Sequence, residues 1–170
     1  MKLLNKMIVV GVIAALYTPV SAHAFNKYVD DVQCMALNIY HEAKNQSMVG
    51  QIAVGLVTMN RVRDHRYPNS VCEVVKQGPS RPSWKDSSVR IPIKHKCQFS
   101  WFCDGKSDDA NDKRAWWKAV EYARIVMSYR IMDITEGATH YHATYVRPAW
   151  AYTKTRTTRI ETHIFYRWEK

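Results

Sequence analysis

The chain has 170 residues, with 25 Lys and Arg against 15 Asp and Glu and a formal charge of +10. That is a one-domain length, enough for a real hydrophobic core that need not depend wholly on cross-links. A basic surface favours polyanions, but the Lys and Arg are scattered instead of gathered on a recognition helix and no RNA- or DNA-binding motif occurs, which argues against a nucleic-acid partner.

The amino end reads as an export leader. Met1 to Lys6 carries two lysines, Met7 to Tyr17 is an apolar and small-residue run, and Ser21-Ala22-His23-Ala24 ends in an Ala-x-Ala pattern. A run of about eleven residues is too short to span a bilayer, which takes about 20. Cleavage after Ala24 is expected, with an uncleaved anchor as the rival reading. That divides the chain into a signal peptide, residues 1–24, and one domain, residues 25–170, of 146 residues and charge +8. No later segment is apolar enough to cross a membrane, so no stable insertion is expected after cleavage, and the location is periplasmic or secreted.

In the domain, Val29 to Ala43 carries apolar residues at 32, 35, 36, 39 and 43, one face of a helix with Asp30 and Asp31 in its first turn. Ser47 can cap a second helix to about Asp64, with Ile52, Ala53, Leu56, Met59 and Val62 inward. Tyr67-Pro68-Asn69 is a turn, and Asn69 or Ser70 can cap a short helix to about Gln77. Gly78 to Lys96 reads as a long loop. Asn111 to about Met132 resumes a helical pattern with Trp116, Ala119, Val120, Ala123, Val126 and Met127 as its buried stripe. From Thr139 onward, Thr, Tyr, His and Trp in partial alternation predict short strands. The expected fold is a mainly helical α+β domain with a small β or loop layer.

Cys34, Cys72, Cys97 and Cys103 are an even set in a chain with an export leader, which predicts two disulfides among three possible connectivities. Spacing favours Cys97 with Cys103, leaving Cys34 for Cys72. Chain entropy assigns about 4 kcal/mol to the long loop and about 2.5 kcal/mol to the short one before strain. The absence of a Cys-x-x-Cys pair argues against a zinc site built from these thiols.

Three clusters carry chemistry. Glu42 falls about 80° from the centre of the first helix's apolar face, on its shoulder, where partial desolvation raises a carboxyl toward the range of about 6–7 useful to a general acid. The plain alternative is a surface carboxylate. His41, about 180° from that face, is expected to be solvated or hydrogen-bonded. Gln51 and Asn60 are polar residues on an apolar helix, and Asn60 is read as a buried, hydrogen-bonded residue. Cys97-Gln98-Phe99-Ser100-Trp101-Phe102-Cys103 sets three aromatics in a small disulfide loop, a platform for sugar rings or else a local mini-core. Thr139-His140-Tyr141-His142-Ala143 precedes Arg147-Pro148-Ala149-Trp150 and His163. His140 and His142 share one side of a strand, and with His163 they form a possible zinc set for an amidase or peptidase.

These clusters lie within blocks that resemble the SleB-like cell wall hydrolases, the family of spore-cortex-lytic enzymes and their relatives. The blocks are Leu37-Asn38-Ile39-Tyr40-His41-Glu42-Ala43-Lys44, Gly50-Gln51-Ile52-Ala53-Val54, Asn60-Arg61-Val62 and Tyr67-Pro68-Asn69-Ser70-Val71-Cys72-Glu73-Val74-Val75. They continue with Cys97-Gln98-Phe99-Ser100-Trp101, Gly137-Ala138-Thr139-His140-Tyr141-His142-Ala143, Pro148-Ala149-Trp150 and Thr162-His163-Ile164-Phe165-Tyr166. The resemblance implies a lysozyme-like α+β domain that cuts the β-1,4 bond between N-acetylmuramic acid and N-acetylglucosamine, needing no metal or other cofactor. It implies Glu42 as the catalytic acid, peptidoglycan glycan strands as partner, and Gln51, Gln98, Phe99, Ser100, Trp101, Tyr141, His142 and Trp150 as cleft residues. A lytic transglycosylase needs no second carboxylate, whereas a hydrolase pairs two; Glu73, Asp104, Glu136 and Glu161 are the ones to test. A non-enzymatic wall-binding protein is the third class. A monomer is the default expectation.

Overall fold

The computed structural model describes residues 22–169. The expected leader lies outside the described residues except for Ala22 to Ala24, which form the first turn of helix α1 (Ala22–Ala43). The expected apolar face is the buried one: Val32, Met35, Ala36, Ile39 and Ala43 are all inside. The helix starts seven residues before Val29, so Asp30 and Asp31 do not sit in its first turn. Asp31 instead accepts from the backbone N–H of Cys72 at 2.9 Å, serving the N-terminus of a different helix.

Helix α2 (Met48–Arg63) is buried all round from Gly50 to Met59 and forms the centre of the domain, in place of the expected one-sided helix. At Gly55 an added Cβ would lie 3.1 Å from Val126 and 3.2 Å from Ile39, so its lack of a side chain lets two neighbouring helices close on α2. Ser47 is the N-cap residue, but its side chain makes no capping bond. Its backbone N–H instead points to the Glu161 carboxylate. Helix α3 (Val71–Val75) is capped by Ser70, whose hydroxyl accepts from the Glu73 N–H and donates to its carboxylate. The stretch read as a loop from Gly78 to Lys96 contains an antiparallel hairpin, β1 (Ser80–Pro82) with β2 (Arg90–Pro92). Helix α4 (Lys113–Met127), capped by Asp112, buries Ala119, Val120, Ala123, Val126 and Met127, leaves Trp116 half-buried, and stops five residues short of Met132.

The carboxyl-terminal third supplies a three-stranded antiparallel sheet, β3 (His140–Ala143), β4 (Thr155–Ile160) and β5 (His163–Arg167), in the order β3-β5-β4. One face packs on α2, where Phe165 and Ala138 meet Ala53 and Val57. The fold is therefore α+β, as expected. Both disulfides pair as the spacing favours: Cys34–Cys72 ties α1 to α3, and Cys97–Cys103 closes a loop ending in a 3-10 turn (Ser100–Cys103). Among the described residues no helix is long and apolar enough to cross a membrane.

Two polar residues of α2 fix where the sheet begins. Asn60 Nδ2 donates to Asp133 Oδ2 at 2.8 Å, to the Ala138 carbonyl at 3.0 Å and to Thr135 Oγ1 at 3.2 Å. Arg61 Nε donates to the Thr139 carbonyl at 2.7 Å. These bonds set the register of β3 against α2, and with it the direction of Tyr141.

Candidate active site

Glu42 stands one residue before the end of α1 and is half-buried, on the shoulder of the apolar face as the helical period implies. The Tyr141 hydroxyl reaches it from β3 and donates to Oε2 at 2.9 Å. Burial pushes the Glu42 carboxyl above its ordinary value of 4.5, against the Tyr141 bond and the positive fields of Arg61 and His41. Burial and the neighbouring carboxylate push the Tyr141 phenol well above 10, so it remains a donor at neutral pH.

Arg61 is buried beside this pair, although periodicity alone gave it no role. Its guanidinium lies 4.9 Å from the Phe99 ring centroid and 5.6 Å from that of Tyr67, and Nη1 is buried without a hydrogen-bond partner. A signal was present: Arg61 continues the 53, 57 stripe of α2 by one more turn, a charged residue on a core line.

On the α1 side, His41 stacks on Trp101 with centroids 4.6 Å apart and rings 16° from parallel, and its Nε2 lies 3.0 Å from the Asp108 carbonyl. It is hydrogen-bonded, as one of the expectations had it. Asn38, one turn before Glu42, accepts from Trp101 Nε1 at 3.0 Å and donates to Thr58. Asn38, His41 and Glu42 thus form one ridge of α1, and Trp101 is clamped to it.

The other expected cleft residues divide. Gln98 and Ser100 are exposed, whereas Phe99 is a core residue under the Arg61 guanidinium and offers no face to a sugar. Gln51 is buried and spends its amide on the Gln46 carbonyl, a structural bond in the α1–α2 elbow. His142 and Trp150 are placed on the wrong side of the sheet for Glu42. Side chains alternate along β3, so Tyr141 faces α2 while His142 faces away, stacked on Tyr166 and edge-on to Trp150.

The same alternation dissolves the zinc set. Ala143 pairs with His163 and His142 with Ile164, which puts His163 on the Tyr141 face, 5.1 Å from the Tyr141 ring, and His140 and His142 on the other. Among the described residues no group of three His, Cys, Asp or Glu side chains is arranged to hold a metal.

The four carboxylates to be tested as partners of Glu42 have other engagements or positions. Glu73 caps α3 with Ser70, Asp104 accepts from the Lys106 N–H, Glu161 accepts from the Ser47 N–H, and Glu136 is exposed in a turn at φ 56°. Among the described residues, Arg61 and His41 both act to lower the Glu42 pKa.

This architecture has relatives. The catalytic domain of the germination-specific lytic transglycosylase SleB from Bacillus anthracis superposes with a TM-score of 0.60 at 23% identity, covering 81% of this chain and 94% of that one. The catalytic domain of the Bacillus cereus SleB protein gives 0.55 at 21% identity, covering 82% and 91%. At these identities the likeness shows the fold. A spore cortex-lytic enzyme of Halalkalibacterium halodurans is 24% identical over 137 residues, 80% of this chain and 34% of its own length. One from Bacillus cereus is 39% identical over 46 residues, 27% of this chain and 18% of its own length. The chain thus spans about a third or less of the length of these curated relatives. Residues 45–166, beginning just after Glu42, match the family described as Cell Wall Hydrolase. That match takes in well over half of the chain, and the protein belongs to the Cell Wall Hydrolase family.

Proposed function

We propose that the protein cleaves the β-1,4 bond between N-acetylmuramic acid and N-acetylglucosamine in peptidoglycan, with Glu42 as its single catalytic carboxyl. The observation that carries this reading is the Tyr141 to Glu42 hydrogen bond on a half-buried carboxyl held above its ordinary pKa. Tyr141 occupies Oε2, which leaves Oε1 to carry the proton. A protonated Glu42 delivers it to the glycosidic oxygen as the bond to C1 breaks and positive charge develops on the muramoyl ring. The carboxylate so formed is stabilised by Tyr141 and by the field of Arg61. It then takes the proton of the muramoyl 6-hydroxyl as that oxygen closes onto C1, giving a 1,6-anhydro product. One carboxyl group is enough for this internal closure, because the attacking hydroxyl belongs to the substrate and needs no water activated by a second carboxylate. Trp101, held by Asn38 and His41 on the ridge of α1 that carries Glu42, is assigned to sugar stacking.

Peptidoglycan lies outside the cytoplasm, so the reading requires export. The apolar run 7–17 and the two disulfides support that.

Digestion of purified peptidoglycan, with products identified by mass, tests the proposal. Anhydro-muropeptides are expected from the wild type and none from Glu42→Gln. Reducing muramic ends would mean hydrolysis, freed peptides an amidase, and no product a wall-binding protein. A fully active Glu42→Gln enzyme would remove Glu42 as the acid.

A further inference from the structure

The sheet face turned away from Glu42 carries a concavity that the glycan reading does not use. It measures about 240 Å³ and is walled by β3, the segment that follows it, the 3-10 turn Ala149–Thr153, and the facing residues of β4 and β5. Its floor is polar but satisfied: His142 stacks on Tyr166, its Nε2 lies 3.0 Å from the Tyr166 hydroxyl, and its Nδ1 lies 2.8 Å from the Ala143 carbonyl. Val146 and Ile164 supply an apolar wall. Arg147 and Arg156 line it as well, both exposed, and neither guanidinium makes an ion pair or hydrogen bond among the described residues.

Two unpaired guanidinium groups over an apolar wall form a receptor for a carboxylate attached to an aliphatic body. Arg presents a planar fork that matches a carboxylate in bidentate geometry, and such charge-assisted bonds are about twice as strong as neutral ones. The volume limits the guest. Drug-sized ligands occupy pockets of about 300–1,000 Å³, so this one takes one or two amino-acid residues and not a run of sugars. The chain's excess of cations draws acidic material toward it.

We infer that the Arg147–Arg156 concavity is a binding site for the free carboxylates of peptidoglycan stem peptides. It holds the wall while the opposite face of the sheet addresses the glycan. The identity of the peptide rests on the wall-glycan reading above; the carboxylate chemistry of the pocket does not. The site separates the strand to be cut from the strand that is gripped, because Tyr141 and His142 are adjacent residues that point to opposite faces.

The test uses the full chain carrying Glu42→Gln, titrated with a synthetic stem tetrapeptide and with the same peptide amidated at every carboxylate. The free acid is expected to bind, with amide shifts in residues 142–156, and both the amidated peptide and Arg147→Gln/Arg156→Gln are expected to weaken binding at least tenfold. The amidated arm needs no substitution, so a folding defect cannot mimic the result. Equal binding of acid and amide, no binding of either, or undiminished binding by the double variant overturns the inference. With Glu42 intact, the ratio of cleavage rates on whole wall to strands stripped of peptide is expected to fall about tenfold in the double variant. A wild type that binds the acid peptide but cuts neither wall nor stripped strands would sink the glycosidase reading and leave the pocket standing.

Discussion

The Tyr141 hydroxyl donates to Glu42 Oε2 at 2.9 Å, joining the end of α1 to the middle of β3 across 99 positions of sequence. The bond both orients the carboxyl and opposes the rise that burial imposes on it. Tyr141→Phe removes the donor while keeping the ring against His163 and Phe165. Losing a bond that stabilises the carboxylate raises the Glu42 pKa further, so the acid form persists to higher pH. The alkaline limb of kcat against pH is expected to move upward, with kcat at the optimum falling about 10- to 100-fold through lost orientation. An unmoved limb would show that Tyr141 does not act on Glu42.

Glu42→Gln should stabilise the fold at neutral pH while abolishing cleavage. A carboxyl whose folded pKa is raised above its unfolded value near 4.5 favours the folded state only while protonated. Its ionisation is a penalty that grows as pH rises from the unfolded pKa through the folded one. The amide carries no such penalty and retains an oxygen for Tyr141. Thermal melts of the two proteins are expected to coincide at pH 4 and to diverge at pH 7, with the variant melting higher. A lower melting temperature at pH 7 would count against a strained, burial-raised acid.

Arg61 exerts the counter-field and, through Nε, holds the start of β3. Arg61→Met deletes both effects and is expected to cost about 3 kcal/mol, in line with removal of one buried charged hydrogen-bonding group. In the folded fraction the alkaline limb of the pH profile should move up, as for Tyr141→Phe. Arg61→Lys restores the charge without the fork. It is expected to keep the limb near its wild-type position while recovering only part of the stability, a split that a purely structural arginine would not produce.

The first, second and fourth helices were legible because their apolar residues recur at 3.6-residue spacing, and both disulfides because loop length left one economical pairing. Three things were not legible. Where α1 starts is one: Phe25, Tyr28 and Val29 continue the apolar spacing toward the amino end but are exposed, so no packing marks the helix end there, and Asp30 and Asp31, which suggested a beginning, instead sit mid-helix, Asp31 bonding the Cys72 N–H. The facing of the sheet is another. Periodicity put His140 and His142 together, but only the register of β5 showed that His163 and Tyr141 share the face toward α2. The role of Arg61 is the third: its place on the 53, 57 line marks it as a buried charge, but its partners, the Thr139 carbonyl, the Phe99 ring and Glu42, come from three distant segments.

The disulfide loop 97–103 divides into a buried and an exposed half, and substitutions should separate them. Phe99 is 3% exposed against Arg61, so Phe99→Ala is expected to cost about 3–5 kcal/mol in urea melts. Gln98→Ala and Ser100→Ala touch exposed side chains and should leave stability within about 0.5 kcal/mol. If they bind glycan, KM rises with kcat held. Trp101→Ala should do both, since it removes the Asn38 bond, the His41 stack and a stacking face together.

Asp133 makes the stability of the sheet anchor pH-dependent in the opposite sense to Glu42. Burial would raise its carboxyl, but hydrogen bonds from Thr135, Asn60 and Gly137 outweigh it and hold the pKa below the ordinary 3.8. Both oxygens are occupied: Oδ1 by the Thr135 N–H and hydroxyl, Oδ2 by Asn60 Nδ2 and the Gly137 N–H. Asp133→Asn turns one oxygen into an NH2 facing two donors, so about 2 kcal/mol is expected to be lost at neutral pH. For a depressed carboxyl the contribution is present above the unfolded pKa and disappears as pH falls through the folded one. The stability gap between wild type and Asp133→Asn should therefore be full at pH 6 and close progressively below about pH 3.8. A gap that persists unchanged at pH 2 would mean that packing, and not the charged hydrogen bonds, holds the 133–138 turn. In that case Asn60 would be a spectator, and the direction of Tyr141 toward Glu42 would have to come from Arg61 alone.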